Sequence, residues 1–396
     1  MQIQKPHNIR LSSVSVRLSV PCVFAAVLTG LLAGGNLFFP DASQYRGLAE
    51  SLLQGNLYFL SMPGGWGDTA LFQGRYYWPL GILPAVFIMP LVRLGIYHQG
   101  LLSFIFVLGV FYLCFRLAQK LGYSRDNACW LALAFCYGTG FLGVAAVPLS
   151  WSYAQVVTVF FVFLAINEYV GRRRFGIIGL MIGLAAASRP IAVFNVVAFC
   201  CAIMVCSLSV KHKVTSLAAL AGSLSLIIAL IAWYNYGRFG DPLEFGYRYQ
   251  LDSGGRFLAD ITTETNYGGP VFSFRNIPRN AFLFAFGLPG ATSTAISVFL
   301  TSPFLIFLFI SNRRLEMFDY LLLVNICLTA LVILTYRSAG GMRQIGYRYM
   351  LDCLPIVFWF LMRQRTELSG GFKMLVSLAV IVDVGLLIYA GVMRFE

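Results

Sequence analysis

Long apolar runs of close to twenty residues recur along the chain, separated by short polar stretches. A run of this length is what an α-helix needs to cross the hydrocarbon core of a bilayer. Helices satisfy all their backbone hydrogen bonds within lipid, so the pattern predicts an all-α polytopic membrane protein with about eleven transmembrane helices. The predicted spans are 16–38, 100–118, 127–147, 152–171, 175–189, 191–209, 214–235, 296–311, 316–336, 349–362 and 372–392.

A different pattern follows the first apolar run. From Tyr45 onward, apolar residues recur at helical spacing on one side, while the other side is polar and charged. This arrangement predicts an amphipathic helix that lies flat on the membrane surface. Asp41 precedes it, directly after Pro40. With Gln44 three residues on, Asp41 fits an N-cap, and because a capped carboxylate keeps free lone pairs, a chemical role also stays open.

Two long segments, 39–99 and 236–295, should form large loops on the outer side, with a shorter one near 337–348. Within the first, residues 79–97 are apolar but carry three prolines, which favours a bent or re-entrant segment over a full crossing. Residues 281–295 are similarly interrupted and should dip into the outer leaflet. Residues 1–396 are therefore predicted to form one integral membrane domain with juxtamembrane helices on its outer face.

Composition supports the membrane class, since 59% of residues are hydrophobic and only 11% are charged. The net charge of +13 is asymmetrically placed. With the N-terminus inside, every short inner loop is basic, which satisfies the positive-inside rule. All five lysines fall on the inner side: Lys5, Lys120, Lys211, Lys213 and Lys373. We therefore expect a protein of the bacterial cytoplasmic membrane, embedded among membrane lipids and without a nucleic-acid partner.

The predicted outer side carries only arginine as its positive charge. A guanidinium group forms a rigid fork suited to bidentate phosphate contact, so an anionic ligand is expected on this face. Alternatively, the arginines of the outer side reflect only a general preference for arginine over lysine along the whole chain. Arg189, at the end of a short span before Pro190, is either a phosphate contact or a residue that reaches from the helix end to the membrane surface.

One seven-residue motif occurs twice on the outer side, as GYRYQLD at 246–252 and as GYRYMLD at 346–352. In each copy an arginine, Arg248 or Arg348, stands four residues before an aspartate, a spacing that would pair the two on an α-helix. In the functional interpretation, the arginines face a lipid phosphate and Tyr247 and Tyr347 contact a sugar. The alternative is an aromatic anchor at the membrane interface with a local ion pair.

Several classes of site are disfavoured. The nine cysteines lie in or beside apolar runs without metal-binding spacing, and the three histidines are scattered. No glycine-rich nucleotide-binding pattern occurs. A solute transporter usually places its polar groups at the middle of the bilayer, whereas here they concentrate on one face.

Five segments together resemble the GT-C superfamily of membrane glycosyltransferases, which use polyprenyl-phosphate sugars. These segments are PDASQYRGLAESLL, YYWPLGILPAVFIMPLVRL, ASRP, YNYGRFGDPLEFGYRY and GYRYMLDCLP. In that family an acidic residue of the first outer loop activates the acceptor or positions the donor, and by position this is Asp41. Many members carry two adjacent acids there, whereas this chain has Asp41-Ala42. A metal is therefore left open, with Asp41 and Asp68 as the ligands of a divalent cation if one binds.

The resemblance implies transfer of a sugar from a polyprenyl-phosphate donor to a glycan, lipid or protein acceptor on the outer face. Transfer needs a base for the incoming hydroxyl and positive charge for the departing phosphate. We expect Asp41 as the base and inversion at the anomeric carbon. The phosphate contacts are expected to be Arg348, Arg248 and Arg189, and the sugar or acceptor contacts Tyr45, Tyr247, Tyr347 and Asp68. A flippase or polymerase for lipid-linked sugars is the main alternative, followed by a solute transporter.

Overall fold

The computed structural model describes residues 20–38, 44–61, 67–252, 254–260, 270–288, 296–310, 313–337, 345–365 and 367–392. These residues are mostly helical. The helices of the first half are α1 (Val20–Phe38), α2 (Gln44–Leu53), α3 (Leu83–Arg93), α4 (Gln99–Lys120), α5 (Arg125–Tyr137), α6 (Phe141–Ala145), α7 (Ser150–Val170) and α8 (Phe175–Ser188). Those of the second half are α9 (Val196–Val205), α10 (Val210–Phe239), α11 (Ile277–Phe286), α12 (Val298–Thr301), α13 (Met317–Thr335), α14 (Leu354–Arg363) and α15 (Gly370–Val392).

Six helices among the described residues are long and apolar enough to cross a membrane. They are Pro21–Phe38, Gln99–Lys120, Ser150–Val170, Val210–Phe239, Met317–Thr335 and Gly370–Tyr389. The other predicted spans correspond to shorter or interrupted helices. The span predicted at 127–147 divides into α5 and α6 at Gly138, and the span at 296–311 divides at Pro303 into α12 and a 3-10 helix. Proline removes a backbone donor and glycine weakens a helix, which explains both interruptions.

The apolar segment 79–97 contains the eleven-residue helix α3, with Pro84 in its first turn and Pro90 inside it. Eleven residues of α-helix extend for only about 16 Å. The hydrocarbon core is about 30 Å thick, so α3 is too short to cross it. Its placement as a re-entrant segment remains a prediction.

The centre of the bundle is α7, most of which is buried, whereas α10 exposes nearly all its length. Helix α8 lies between α7 and α10. Its Gly179 packs so closely that a Cβ there would collide with the carbonyl oxygen of Leu220. On the opposite side of α7, Asn167 donates from its side-chain amide to the carbonyl of Leu113 in α4, at 2.9 Å. These close contacts therefore join helices that are separated in sequence by one or two others.

A small β-hairpin joins α2 to α3 and consists of β1 (Ala70–Phe72) and β2 (Arg75–Tyr77). Its strands are antiparallel, and the turn residues Gln73 and Gly74 both have positive φ. This is the turn geometry that matches the twist of a two-residue hairpin. The ring of Phe72 packs on Phe239 at the end of α10, with centroids 5.6 Å apart. The hairpin is thereby fixed to the end of the longest helix.

Candidate active site

Segments from all three predicted outer loops are joined through their backbones at one end of the bundle. The N–H of Asp68 donates to the carbonyl of Leu251 at 3.0 Å, and the N–H of Leu251 donates to the carbonyl of Thr69 at 2.8 Å. The N–H of Arg337 donates to the carbonyl of Val271 at 3.0 Å. Residues that are far apart in sequence therefore meet at this end of the molecule.

Asp68 lies at this junction. Its side chain is exposed, yet the surrounding protein desolvates the carboxyl group and raises its pKa, while Arg348, Gln250 and Arg337 act in the opposite direction. The φ angle of Asp68 is 66°, in the left-handed region that asparagine and aspartate enter most readily after glycine. The backbone at Asp68 therefore has a conformation that few non-glycine residues adopt.

The orientation of Asp68 is set by Gln250 and Arg337. The Gln250 Nε2 donates to Asp68 Oδ1 at 2.9 Å, and the Gln250 Oε1 accepts from Arg337 Nη2 at 3.2 Å. The same Arg337 nitrogen donates to the carbonyl of Tyr247 at 3.0 Å. Both ends of the Gln250 carboxamide are therefore engaged. Sequence reasoning did not select either Gln250 or Arg337, although Gln250 belongs to the first copy of the repeated motif.

Arg348 supplies a positive charge that no carboxylate of the described residues pairs with. Its side chain is half-buried, and within the described ranges no carboxylate forms an ion pair with its guanidinium group. The buried Nε has no hydrogen-bond partner among those residues. The guanidinium lies over the rings of Tyr349 and Trp151, at 5.1 and 5.9 Å from their centroids. The side-chain amide of Gln155, in α7, donates to the backbone carbonyl of Arg348 at 3.0 Å and so holds the backbone at Arg348 in place.

Arg189 is held by a carboxylate instead. Its Nε and Nη2 donate to the two oxygens of Asp352 at 2.7 and 3.0 Å, and both side chains are buried. Asn195 donates to the carbonyl of Asp352 at 2.7 Å. The Arg189 guanidinium also lies 5.5 Å from the centroid of Tyr349, the ring that Arg348 contacts. The structure therefore places Arg189 beside Arg348, and the charge of Arg189 is compensated by Asp352.

The expected pairing within each repeated motif is wrong. Arg348 precedes Asp352 by four residues, but the segment Arg348–Asp352 is a 3-10 helix, in which residues three apart, not four, share a face. In the first copy the 3-10 helix covers only Tyr247–Tyr249. Arg248 pairs with Glu244 at 2.7 Å and its side chain is 60% exposed. Asp352 takes Arg189 as its partner, whereas Asp252 takes Arg256, at 2.8 Å.

The three tyrosines predicted as sugar contacts have different environments. Tyr45 is fully buried, and its ring meets Trp78 edge to face, with centroids 5.7 Å apart. Tyr347 is also buried, against Phe284. Tyr247 is half-buried, and desolvation raises its pKa to about 12. Of the three, Tyr247 alone has substantial exposed surface.

Asp41, the predicted base, lies outside the described residues, so its role stays a prediction. It stands three residues before α2, whose start is described. The start of α2 packs against α7. The N–H of Tyr45 donates to Ser150 Oγ at 3.4 Å, and the ring of Tyr45 contacts the ring of Tyr153; Ser150 and Tyr153 both belong to α7. The described part of the chain contains no group of three or more His, Cys, Asp or Glu side chains that could hold a metal ion. An Asp41–Asp68 metal site is not tested by that observation.

Comparisons with known proteins bear on the fold. No protein-family model matches the sequence, and no curated protein matches it. The structure is similar to the crystal structure of the Archaeoglobus fulgidus oligosaccharyltransferase in the apo form, with a TM-score of 0.51 and 14% sequence identity. The similarity covers 95% of this chain and 56% of that one, so the chain spans little more than half the length of the archaeal protein.

At this level of identity the similarity establishes the fold and not the activity. A mostly helical fold with six helices long and apolar enough to cross a membrane agrees with the predicted class, whereas the predicted count of about eleven spans stays a prediction. The chain therefore has the type of fold found in an oligosaccharyltransferase, as expected from the resemblance to the GT-C superfamily.

Proposed function

We propose that this chain transfers a sugar from a polyprenyl-phosphate carrier to an acceptor hydroxyl on the extracytoplasmic face of the membrane. The single observation that carries the proposal is the half-buried guanidinium of Arg348, which lies beside Arg189 and interacts electrostatically with Asp68. The Arg348 guanidinium has a buried donor without a partner among the described residues, which an anionic ligand would satisfy. A half-buried, unpaired guanidinium is a suitable contact for phosphate because its donors form a planar fork.

The proposed step breaks the bond between the anomeric carbon and the phosphate oxygen, and the acceptor oxygen forms the new bond. Asp41 takes the proton of the acceptor hydroxyl, while the electron pair of the broken bond leaves with polyprenyl phosphate towards Arg348. A positioned base and a positive charge beside the leaving group are the two contributions such a step needs. Direct displacement inverts the anomeric centre.

Two further observations support this function. Electrostatic interactions link Tyr45, at the start of α2, with Arg189 and Tyr247, so the helix that follows Asp41 begins close to the arginine cluster. The archaeal structural neighbour is named as an oligosaccharyltransferase, which favours glycosyl transfer over solute transport as an analogy of fold. Donor and acceptor would then meet at the end of the bundle where α2 begins.

Turnover by purified protein tests the proposal. Full-length protein in detergent is offered a panel of polyprenyl-phosphate sugars with candidate acceptors, and release of polyprenyl phosphate is measured with and without chelator. Asp41→Asn should abolish release while retaining donor binding, because it removes the base alone. Arg348→Gln should lower kcat/KM by about a hundredfold, the usual effect of removing one charge-stabilising group. Arg256→Gln is the matched control, since this arginine is exposed and ion-paired elsewhere.

A flippase for lipid-linked sugars would respond differently. It would move the donor between leaflets of a vesicle without releasing polyprenyl phosphate, and Asp41→Asn would leave that movement unchanged. Donor movement with no release from any member of the panel would therefore replace the transferase by the flippase.

A further inference from the structure

The first turn of α7 contacts both the start of α2 and the guanidinium of Arg348. We propose that Trp151, in this turn, is a specificity-determining residue whose ring stacks on the sugar of the donor. This inference rests on the proposed function and names a residue that the transferred sugar contacts. It is carried by the position of Trp151 beside Arg348 and by the part of its ring that other residues leave uncovered.

Two contacts fix the position of Trp151. Ser150, the residue before it, accepts a hydrogen bond at 3.4 Å from the N–H of Tyr45, at the start of α2. The guanidinium carbon of Arg348 lies 5.9 Å from the centroid of the Trp151 ring. In the proposed step the acceptor oxygen and the departing phosphate are both attached to the anomeric carbon, so the sugar lies between them. Trp151 is therefore placed beside the sugar rather than beside the lipid chain.

The distance from Arg348 to Trp151 suits a glycosyl phosphate. Its sugar is joined to phosphorus through a single oxygen atom, so a phosphate bound by Arg348 leaves the sugar ring close to the guanidinium. Gln155 keeps this distance fixed. It follows Trp151 by four residues in α7, so the two share a face of the helix, and its amide donates to the backbone carbonyl of Arg348 at 3.0 Å.

Other half-buried rings at this end of the bundle are already covered by neighbours. Tyr247 and Tyr349 both pack on the ring of Tyr336, with centroids 6.4 and 5.4 Å apart. Trp151 is half-buried as well, but its ring contacts no other aromatic ring within the part of the chain that the structure describes. Part of the indole therefore stays available to a ligand.

An indole and a sugar have complementary surfaces. Several C–H groups of a pyranose share one face, which is apolar, whereas the hydroxyl groups lie around the rim. Stacking on an aromatic ring buries this face and leaves the hydroxyl groups free to form hydrogen bonds. The face of the π-system is also electrostatically negative and attracts the C–H groups. Loss of the ring should therefore lower the affinity for the sugar by about tenfold.

Binding of two kinds of short lipid probe tests the proposal without requiring turnover. One is farnesyl methyl phosphate, and the other is a set of farnesyl phosphate esters of glucose, galactose, mannose and N-acetylglucosamine. All have the same lipid chain and the same charge, so only the sugar differs. Each is titrated by calorimetry into full-length protein in detergent. Wild-type protein should bind at least one sugar ester more tightly than the methyl ester. Trp151→Leu should lower the affinity for that ester by about tenfold and leave the affinity for the methyl ester unchanged.

Further variants separate the aromatic ring from its bulk. Trp151→Phe keeps an aromatic face and should retain most of the affinity. Trp151→Met is a second non-aromatic variant, whose flexible side chain fills space where leucine leaves a gap. Trp130→Leu is the matched control, because Trp130 is also half-buried but lies in α5, and it should leave both affinities unchanged. Equal thermal midpoints establish that the variants are folded.

Three results would overturn the sugar contact at Trp151. The first is a wild-type protein that prefers no sugar ester over the methyl ester. The second is an equal loss of affinity for both kinds of probe in folded Trp151→Leu, which is the behaviour of a tryptophan that only anchors α7 at the membrane interface. The third is an equal loss in Trp151→Phe and Trp151→Leu, which would assign the effect to bulk.

The outcomes also separate this inference from the proposed function. An unchanged sugar preference in Trp151→Leu, in a protein that releases polyprenyl phosphate, overturns the sugar contact and leaves glycosyl transfer standing. A selective loss of the sugar ester in a protein that releases none supports the sugar contact and refutes only the transferase. Failure of every probe to bind wild-type protein refutes the phosphate contact at Arg348 and therefore both ideas.

Discussion

The buried ion pair between Arg189 and Asp352 offers the most direct test of how the site is held together. Asp352 is fully buried, Arg189 is 9% exposed, and two hydrogen bonds of 2.7 and 3.0 Å join them. Asp352→Asn preserves shape but leaves the Arg189 charge without compensation in a desolvated position. Breaking one partner of such a pair costs about 3–5 kcal/mol, so the free energy of unfolding should fall by that amount.

A double-mutant cycle isolates the interaction. Arg189→Met should also destabilise the protein strongly, because it leaves the Asp352 carboxylate buried and unpaired. In the double variant Arg189→Met/Asp352→Asn neither charge remains, so its loss should be smaller than the sum of the single losses by at least about 1.5 kcal/mol. Unfolding is followed in mixed detergent micelles by tryptophan fluorescence and far-ultraviolet circular dichroism. The exposed pair Asp252–Arg256 serves as the control cycle and should show little coupling.

Additive losses in the Arg189–Asp352 cycle would refute this reasoning. So would an Asp352→Asn variant within about 0.5 kcal/mol of wild type, the range of a surface substitution. In either case Arg189 would not depend on Asp352 for its compensation, and it would return to consideration as a free phosphate contact.

Two other predictions concern the packing of Gly81 and the titration of Asp68. Gly81 approaches the end of α8 so closely that a Cβ would collide with the carbonyl oxygens of Ala187 and Ser188, so Gly81→Ala should lower the free energy of unfolding by about 1–3 kcal/mol in the same assay. Asp68 has a folded pKa raised above its ordinary 3.8, so the folded state binds more protons than the unfolded state between the two values. The free energy of unfolding should therefore fall as pH rises above about 4, up to the folded pKa, and Asp68→Asn should remove this fall, as measured by thermal midpoints between about pH 4 and 8.

Each of these has its own control. Gly222 lies in α10, where an added Cβ would have no other atom within 4 Å, so Gly222→Ala should be neutral or stabilising. Equal destabilisation by both alanines would show that helix propensity, not collision, determines the result. For Asp68, a pH dependence that is identical in wild type and Asp68→Asn would mean that the carboxyl titrates normally.

The repeated motif shows where sequence reasoning stops. Its spacing of arginine and aspartate is the same in both copies, yet Asp352 binds Arg189 while Asp252 binds Arg256. The i, i+4 rule applies only to an α-helix, and both copies form short 3-10 helices. Which partner a buried aspartate takes depends on what packs beside it. For Asp352 that residue is 163 positions away in the chain.

The sequence by itself determined the helical membrane class, the amphipathic helix α2 and the concentration of arginine in segments that meet at one end of the bundle. These follow from hydropathy and periodicity, which are local properties of the chain. Only the tertiary structure decided that Arg337 and Gln250 hold Asp68, that Arg189 is neutralised and that Arg348 has no carboxylate partner among the described residues. The physical reason is that charge compensation and desolvation depend on contacts between distant segments, which no local pattern records.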